Sequence, residues 1–214
     1  LGKRMAEKNV KSIADYRAYL ANHPEEVNRL CKEFLLHVTR FFRDEEAFER
    51  LRSTAIPEIL SKKEKGESVK IWVVASSTGE EAYTIAMLFE EALDELRRRD
   101  LEVKIFASDI SQEVIDIASR GVYTDEQLKH VSRERVARFF VKESGGYRVT
   151  PVLRRMVVFA KHDITKDPPF SRIDLLTCRN MLIYMNPFLQ KNILQKFHFA
   201  INDEGFLFLG PSEN

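Results

Sequence analysis

The sequence contains only two cysteines, Cys31 and Cys178, and they lie far apart among apolar neighbours. This excludes a disulfide framework and a cysteine metal site, and it is typical of a protein in a reducing cytoplasm. No run of eighteen apolar residues is present, and the first residues lack the pattern of a secretory signal. We therefore expect a soluble, cytoplasmic protein with no metal and no helix inserted in a membrane.

An excess of charge of one sign is also missing. There are 34 basic and 33 acidic residues, which gives a formal net charge of +1. No overall field would attract nucleic acid or an anionic membrane, so recognition of a charged partner must be local. The complete G-x-G-x-x-G fingerprint is absent as well, which counts against a dinucleotide cofactor and hence against a dehydrogenase.

The first third of the chain has helical periodicity and no strand pattern. Apolar residues recur at helical spacing in 13–20 and again in 27–35. His23 and Pro24 separate these two runs, and Pro24 is suited to begin the second helix. A polar, charged segment follows at 61–68 and reads as a linker. The sequence predicts a helical domain at 1–65 and a second domain at 66–214.

Beyond the linker, short apolar runs alternate with helical segments. Five runs read as strands: 70–75, 103–108, 156–160, 173–177 and 205–209. This alternation predicts an α/β fold with a parallel sheet covered on both faces and a ligand site beyond the carboxyl ends of the strands. One segment breaks the pattern, because Gly145 and Gly146 lie between β-type residues. We expect an inserted β-hairpin subdomain at about 139–155.

The turn after the first predicted strand, Ser76–Glu81, enters a helix. The free N–H groups and positive end of that helix suit a polar or negatively charged ligand group. However, Ser77 with Glu80 and Thr78 with Glu81 both match the capping-box spacing, which explains these residues without a ligand. From the residues alone both interpretations stay open.

Polar residues follow the next three strands as well. Asp109 could accept the two hydroxyls of a ribose, or it could simply cap the helix that follows. His162 and Asp163 come after the third strand, and Arg179 and Asn180 after the fourth. Polar side chains at four successive strand ends favour a shared binding crevice.

A further candidate lies in the helical region. Thr39 and Arg43 are four residues apart and would share one helical face, beside the bulky Phe41 and Phe42. The ordinary alternative is a core aromatic pair with a solvated Arg43.

Together these segments resemble the CheR family, the chemotaxis methyltransferases that esterify receptor glutamates. Five strings carry the resemblance, in order along the chain: TRFFRD at 39–44, STGEEAY at 77–83, ASDI at 107–110, CRNMLIY at 178–184 and GFLFLGPSE at 205–213.

The resemblance implies a class I methyltransferase fold, Rossmann-like, with a small helical domain before it. It implies S-adenosylmethionine as cofactor, S-adenosylhomocysteine as product, and γ-methyl esters on glutamates of the cytoplasmic helices of bacterial chemoreceptors. It also implies a monomeric domain that binds no nucleic acid.

Site residues follow from the same resemblance. Thr39 and Arg43, with His37 nearby, would reach the methionine end of the cofactor. Glu80 or Glu81 would bind its ammonium, Asp109 its ribose, and Asp163 with Ile164 its adenine. Arg179 and Asn180 would lie near the sulfonium. The remaining assignments are Ala75, Ser76, Ser77 and Ile110 as cofactor contacts, with Tyr184 beside the transferring methyl and, like Arg43, catalytic.

Some positions depart from the family pattern. His37 stands where the family often has asparagine, Ser76 where alanine or cysteine is common, and Ala82 where proline is usual.

The hairpin turn at 143–146 is short compared with relatives that bind a receptor's C-terminal peptide, so we expect a peptide-independent enzyme. Since the chain starts at Leu1 and stops at Asn214, before the last strands of related sheets, we expect a fragment of a longer signalling protein.

Two other functions stay open. The departures above are compatible with a non-catalytic domain that binds cofactor or receptor as a sensor or scaffold. The segment Asp167–Phe170 (DPPF) also resembles a signature of methyltransferases that act on nucleobase amino groups. That signature normally follows the fourth strand, whereas here it precedes it, and prolines are common in connections.

Overall fold

The computed structural model describes residues 2–34 and 39–213. Two compact units are present, and they divide between Val38 and Thr39. This differs from the boundary near 65 that the sequence predicts. The reason is packing: Phe48, Ile56 and Leu60 of the helices before the linker are buried in the same hydrophobic core as the central sheet.

The first unit contains three helices, α1 (Gly2–Glu7), α2 (Ile13–Ala21) and α3 (Pro24–Phe34). Pro24 begins α3, as predicted. Inside this unit the guanidinium of Arg4 donates to the carboxylate of Glu26 (Nε to Oε1, 2.9 Å), and the Tyr16 hydroxyl donates to the same carboxylate at 2.8 Å. The Arg4 hydrogen bond is the largest of the influences that lower the pKa of Glu26 to about 2.

The second unit is built on a five-stranded sheet in the order β6-β2-β1-β7-β8. The strands are β1 (Ser68–Val74), β2 (Glu102–Asp109), β6 (Val157–Lys161), β7 (Ile173–Cys178) and β8 (Ile201–Leu209). Every neighbouring pair is parallel. All five predicted strands and the parallel α/β architecture are therefore confirmed. The strand order reverses between β1 and β7, so the crevice at their carboxyl ends is the expected ligand position in an open α/β sheet.

Helices connect these strands. The long ones are α6 (Glu80–Glu95), α7 (Gln112–Arg120) and α11 (Pro187–Ala200). Before β1 the chain forms α4 (Glu45–Arg50), a π-helical turn (Leu51–Ala55) and α5 (Ile56–Lys62). Shorter helices are α8 (Asp125–Leu128), α9 (Arg133–Phe139), α10 (Pro151–Met156) and a 3-10 turn at Leu182–Tyr184. In the part of the chain that the structure describes, no helix has the length and apolar character needed to span a bilayer.

The inserted subdomain is a three-stranded antiparallel sheet in the order β3-β5-β4. Strands β4 (Phe140–Glu143) and β5 (Gly146–Val149) form the predicted hairpin, and β3 (Val122–Tyr123) adds a short third strand. The prediction was wrong for 151–155, which belong to α10. Proline suits the first turn of a helix, and Leu153 and Met156 bury one side of it, so the segment favours a helix over an extended strand.

Candidate functional site

The turn between β1 and α6 has an unusual backbone. Ala75 and Ser77 have φ angles of 54° and 49°, and Gly79 has a φ of 94°. Gly79 is the residue that caps α6, and no side chain caps the helix. The capping-box interpretation of Ser77 and Thr78 is therefore wrong. Thr78 Oγ1 instead donates to Glu80 Oε2 at 2.6 Å, which leaves the first N–H groups of the helix available to a ligand.

Two hydroxyls of this turn are buried without a partner. Ser76 and Ser77 are 2% and 8% exposed, and neither Oγ atom has a hydrogen-bond partner among the described residues. A buried polar atom without a partner costs free energy, so an unsatisfied pair at a strand end is a feature that a polar ligand would relieve.

Asp109 joins the turn to the end of the neighbouring strand. Its Oδ2 accepts a hydrogen bond from the backbone N–H of Ser77 at 3.0 Å, and its Oδ1 accepts from the N–H of Ser111 at 3.0 Å. Ser111 is the capping residue of α7, so the helix-cap interpretation of Asp109 is wrong. Since each carboxylate oxygen can accept more than one hydrogen bond, Asp109 retains capacity for ligand hydroxyls.

Arg179 lies at the end of β7 with its side chain fully buried. Its guanidinium stacks between the rings of Phe48 and Phe208, with its central carbon 4.8 and 4.9 Å from the two ring centroids. Nη2 donates to Asp44 Oδ2 at 2.6 Å. Within the described chain Nε and Nη1 have no hydrogen-bond partner, although Nη1 lies 3.7 Å from a carboxylate oxygen of Glu81.

Glu81 completes this cluster from the first turn of α6. Its Oε1 accepts a hydrogen bond from the Thr177 hydroxyl at 2.7 Å. Burial raises the pKa of Glu81, while the charges of Arg179 and Arg43 and the Thr177 hydrogen bond oppose that rise. The positive charge of Arg43 therefore acts on the same carboxylate as that of Arg179.

The adjacent glutamates Glu80 and Glu81 contact different parts of the unit, α8 and β7 respectively. Glu80 accepts hydrogen bonds from Thr78 and, at 3.3 Å, from Gln127 Nε2 of α8. Burial raises the pKa of Glu80 too. Glu81, with its contacts to β7, is therefore the glutamate at the crevice between β1 and β7. Glu80 lines a separate cavity of about 280 Å³, whose other lining residues are Thr39, Arg40, Glu126, Gln127, Lys129 and His130.

The end of β6 is organised by a tight loop. Asp163 Oδ1 accepts hydrogen bonds from the Thr165 N–H at 3.0 Å and from its hydroxyl at 2.6 Å. Burial raises the pKa of Asp163, but these hydrogen bonds and Lys166 outweigh it and the net pKa is lowered. Ile164 is 7% exposed and belongs to the core, whereas Ile110, after β2, is half exposed.

The DPPF segment packs this loop onto the sheet. Asp167 Oδ2 accepts a hydrogen bond from the Asp163 N–H at 2.8 Å. The Phe170 ring stacks on His162 at 5.3 Å and meets the edge of Trp72 at 5.0 Å. The segment lies before β7 and shapes the connection from β6, so these contacts give no support to the nucleobase interpretation.

The loop after β7 is tied to the loop after β8 by Glu213. One carboxylate oxygen accepts the N–H groups of Met181 (2.7 Å) and Leu182 (3.0 Å), and the other accepts the N–H of Gly210 (2.7 Å). Asn180, at the start of this loop, has a φ of 59°. Sequence reasoning gave Glu213 no role of its own, and only its place in the last family-like string drew attention to it.

Two further predicted site residues stand apart from this network. Tyr184 ends the 3-10 turn that follows β7 and is 78% exposed, so its side chain is not held by packing. His37 lies outside the described residues. The described residues also contain no group of three or more His, Cys, Asp or Glu side chains able to hold a metal ion.

The strand-end residues thus converge on one edge of the sheet. Asp109, Ser76 and Ser77 lie across β1 and β2, and Glu81 with Arg179 lies across β1 and β7. This combination of two carboxylates, buried hydroxyls and free helix N–H groups fits S-adenosylmethionine. In that molecule a sulfonium joins an adenosine, whose ribose has two hydroxyls, to a methionine part with an ammonium and a carboxylate.

Comparison with known proteins agrees with this geometry. Residues 37–214 match the family model described as CheR methyltransferase, SAM-binding domain. The chain is 37% identical, over 99% of its length, to an uncharacterized 104.1 kDa protein of the Rhodobacter capsulatus hypE 3′ region, of which it spans only 22%. It is 32% identical over its whole length to chemotaxis protein methyltransferase 2 of Pseudomonas aeruginosa, spanning 76% of it. It is 33% identical over 94% of its length to the chemotaxis protein methyltransferase of Escherichia coli, spanning 71%.

The family match covers the five-stranded sheet, the inserted antiparallel sheet and the segment around Arg43. The chain therefore belongs to the CheR methyltransferase family, and its second unit is the S-adenosylmethionine-binding domain of that family.

Proposed function

We propose that this chain transfers the methyl group of S-adenosylmethionine to glutamate side chains of a bacterial chemoreceptor, forming γ-methyl esters. Two of its relatives are named as chemotaxis protein methyltransferases, which supports a receptor substrate. The observation that carries the cofactor part is the arrangement at the strand ends: Asp109 bridges two loops beside unpartnered serine hydroxyls, and Glu81 lies at the β1–β7 crevice.

The chemistry needs little from acid or base groups. A glutamate has an unperturbed pKa of about 4.3, so at neutral pH it is already a carboxylate nucleophile. One of its oxygens bonds to the methyl carbon as the carbon–sulfur bond breaks, the electron pair stays on sulfur, and no proton moves. The chain's task is to hold the reacting atoms in line and to exclude water, and positioning alone can supply effective molarities of about 10⁵ M or more.

We assign roles to the residues of the crevice on this basis. Asp109 binds the ribose hydroxyls and Glu81 the ammonium, while Asp163 and Ile164 border the adenine. Arg179, held between Phe48 and Phe208, orients Glu81 and Asp44. In the sulfonium region its positive charge is offset by these two carboxylates, which keeps the environment acceptable to a cationic cofactor.

The remaining assignments concern the methionine end and the methyl group. Arg43 binds the methionine carboxylate, in keeping with the influence of its charge on Glu81. Residues 39–44 are not helical and Phe42 has a φ of 52°, so the expected shared helical face of Thr39 and Arg43 is wrong, and Thr39 lines the cavity beside Glu80. Tyr184, exposed in the turn after β7, contacts the incoming glutamate beside the methyl group.

The length of the hairpin turn limits how the enzyme could bind a receptor. Strands β4 and β5 are joined by only Ser144 and Gly145, so the turn offers little surface for gripping a peptide. We propose that the enzyme acts without a C-terminal receptor tether. Equal methylation rates for receptors with and without their C-terminal peptide would support this, and a large loss on truncation would oppose it.

The decisive assay uses methyl-labelled S-adenosylmethionine and receptor cytoplasmic segments. We expect base-labile label on the receptor, because esters hydrolyse in alkali. A receptor fragment whose candidate glutamates are replaced by glutamine is the matched control. Cofactor binding without label would favour the sensor alternative, and label on added nucleic acid would favour the nucleobase alternative.

A further inference from the structure

Tyr123 lies where the small antiparallel sheet meets the cofactor turn. It is 1% exposed, and its hydroxyl donates to the backbone carbonyl of Thr78 at 2.8 Å. Its ring packs edge-on against Phe41 (4.9 Å between centroids) and Tyr83 (6.0 Å). The phenol therefore reaches from β3 into the turn that carries Ser76 and Ser77, although it belongs to neither the central sheet nor the strand-end crevice.

The turn is shaped around this hydroxyl. Gly79 has a φ of 94°, and a Cβ atom placed there would stand 2.9 Å from the Tyr123 hydroxyl oxygen. Both the backbone angle and the close approach favour glycine at this position. The hydrogen bond to Thr78 thus fixes the peptide just before the first turn of α6, whose N–H groups border the cofactor crevice.

The small sheet in turn holds Tyr123. Tyr123 pairs with Tyr147 of β5, and a Cβ atom at Gly146 would stand 2.5 Å from the Tyr123 carbonyl oxygen. A second link runs nearby, since Gln127 Nε2 donates to Glu80 Oε1 at 3.3 Å. The segment from β3 to α8 is therefore bound to the cofactor turn at both Thr78 and Glu80.

We propose that Tyr123 is a positioning residue for the cofactor: through its bond to the Thr78 carbonyl, the inserted sheet holds the Ser76–Glu81 turn in its binding conformation. This rests on the proposed location of the cofactor at that turn. The inserted sheet would then help to form the cofactor site, in addition to any contact that the hairpin makes with a receptor.

The test replaces Tyr123 by phenylalanine, which removes the hydroxyl and keeps the ring in the aromatic cluster. One neutral hydrogen bond is worth about 1 kcal/mol, so we expect S-adenosylhomocysteine to bind about fivefold more weakly by calorimetry. We also expect faster hydrogen exchange at the amides of 76–81 in the cofactor-free protein. The matched control is Tyr147→Phe, which removes a hydroxyl from the same sheet and should change neither quantity.

A purely structural role predicts a different result. Tyr123→Phe would then lower the melting temperature with no change in affinity and no change in exchange at 76–81, and that result would overturn the proposal. The exchange measurement needs no ligand. Failure of the cofactor site itself would appear as no binding by the unmodified protein, whereas failure of this inference would appear as unchanged exchange at the turn.

Discussion

The carboxylate of Asp109 accepts a hydrogen bond from the backbone N–H of Ser77 at 3.0 Å, across the ends of two neighbouring parallel strands. This single contact fixes the strained Ser77 backbone and places a carboxylate in the cofactor crevice. Asp109 therefore shapes the turn, and in the proposed function it also binds the ribose.

Asp109→Asn tests this relationship. The amide keeps one carbonyl oxygen, but its NH₂ group would face a backbone N–H. Because hydrogen bonds to charged groups are worth about 1.5–3 kcal/mol, we expect cofactor affinity to fall at least about tenfold in calorimetry. Asp116→Asn, on the exposed face of α7, is the control and should leave affinity unchanged. Equal affinities for the Asp109 variant and the unmodified protein would contradict the ribose assignment.

Arg43→Ala tests the segment before α4. The positive charge of Arg43 opposes the rise in the pKa of Glu81, in keeping with the proposed contact between Arg43 and the methionine carboxylate. We expect cofactor binding to be lost in calorimetry while the circular dichroism spectrum is retained. Arg50→Ala, on the exposed end of α4, is the matched control. Unchanged affinity in the Arg43 variant would remove this segment from the pocket.

Arg179→Met tests the anchored guanidinium. Arg179 is fully buried but its hydrogen-bonded partner Asp44 is 36% exposed, so solvent screens part of the loss and the change costs about 1–3 kcal/mol. We expect a loss of that size in urea unfolding, together with weakened cofactor binding. Arg135→Met is a fair comparison, because Arg135 also lies over a ring, that of Phe42, and pairs with Glu91 at 2.8 Å, but outside the crevice. It should spare cofactor affinity, whatever its effect on stability.

Glu81 gives a pH-dependent prediction. Burial raises its pKa in the free protein above the ordinary 4.5, so its contribution to stability is present below that value and is lost as pH rises through the raised pKa. If Glu81 binds the cofactor ammonium as proposed, the ammonium favours the ionised form and lowers the pKa of Glu81 again. We therefore expect proton release on binding at pH values above the ordinary 4.5, and a smaller release as pH rises further. Calorimetry in buffers of different ionisation enthalpy measures it, and Glu81→Gln should abolish it.

Glu26 predicts acid sensitivity of the first unit. Its pKa is lowered to about 2 from an ordinary 4.5, mainly by the Arg4 hydrogen bond. Its stabilising contribution is therefore present above the unfolded value and is lost as pH falls from 4.5 towards 2. Hydrogen exchange of α2 and α3 should accelerate over that range. Glu26→Gln should accelerate it already at neutral pH, whereas Glu25→Gln, exposed on the same helix, should not.

Much of the fold could be predicted from the sequence for a simple reason. Parallel strands are buried on both faces, so they read as short apolar runs such as 71–74 (IWVV), and the helices between them read with a period near 3.6. The unit boundary could not be predicted in this way. Helical periodicity before the linker is the same whether Phe48 and Ile56 pack within a separate domain or onto the sheet.

The clustering of the candidate site residues could be predicted from the sequence, but their contacts could not. The alternation of strands and helices indicated which residues follow each strand, and Asp109, Glu81 and Arg179 do lie at one edge. The capping-box spacing at Ser77 and Thr78 gave a wrong prediction of the helix cap. Residue spacing contains no information about the positive φ angles of Ala75, Ser77 and Gly79, which make Gly79 the capping residue. Nor does sequence separation reveal that Glu213 binds the loop after β7, or which of two adjacent glutamates faces the crevice.

We propose that S-adenosylmethionine binds at the carboxyl ends of β1, β2 and β7. The most direct measurement is a crystal structure of the chain with S-adenosylhomocysteine. We expect the ribose hydroxyls within hydrogen-bond distance of Asp109 and the ammonium beside Glu81. A ligand seated elsewhere, or one whose ribose does not reach Asp109, would contradict the account.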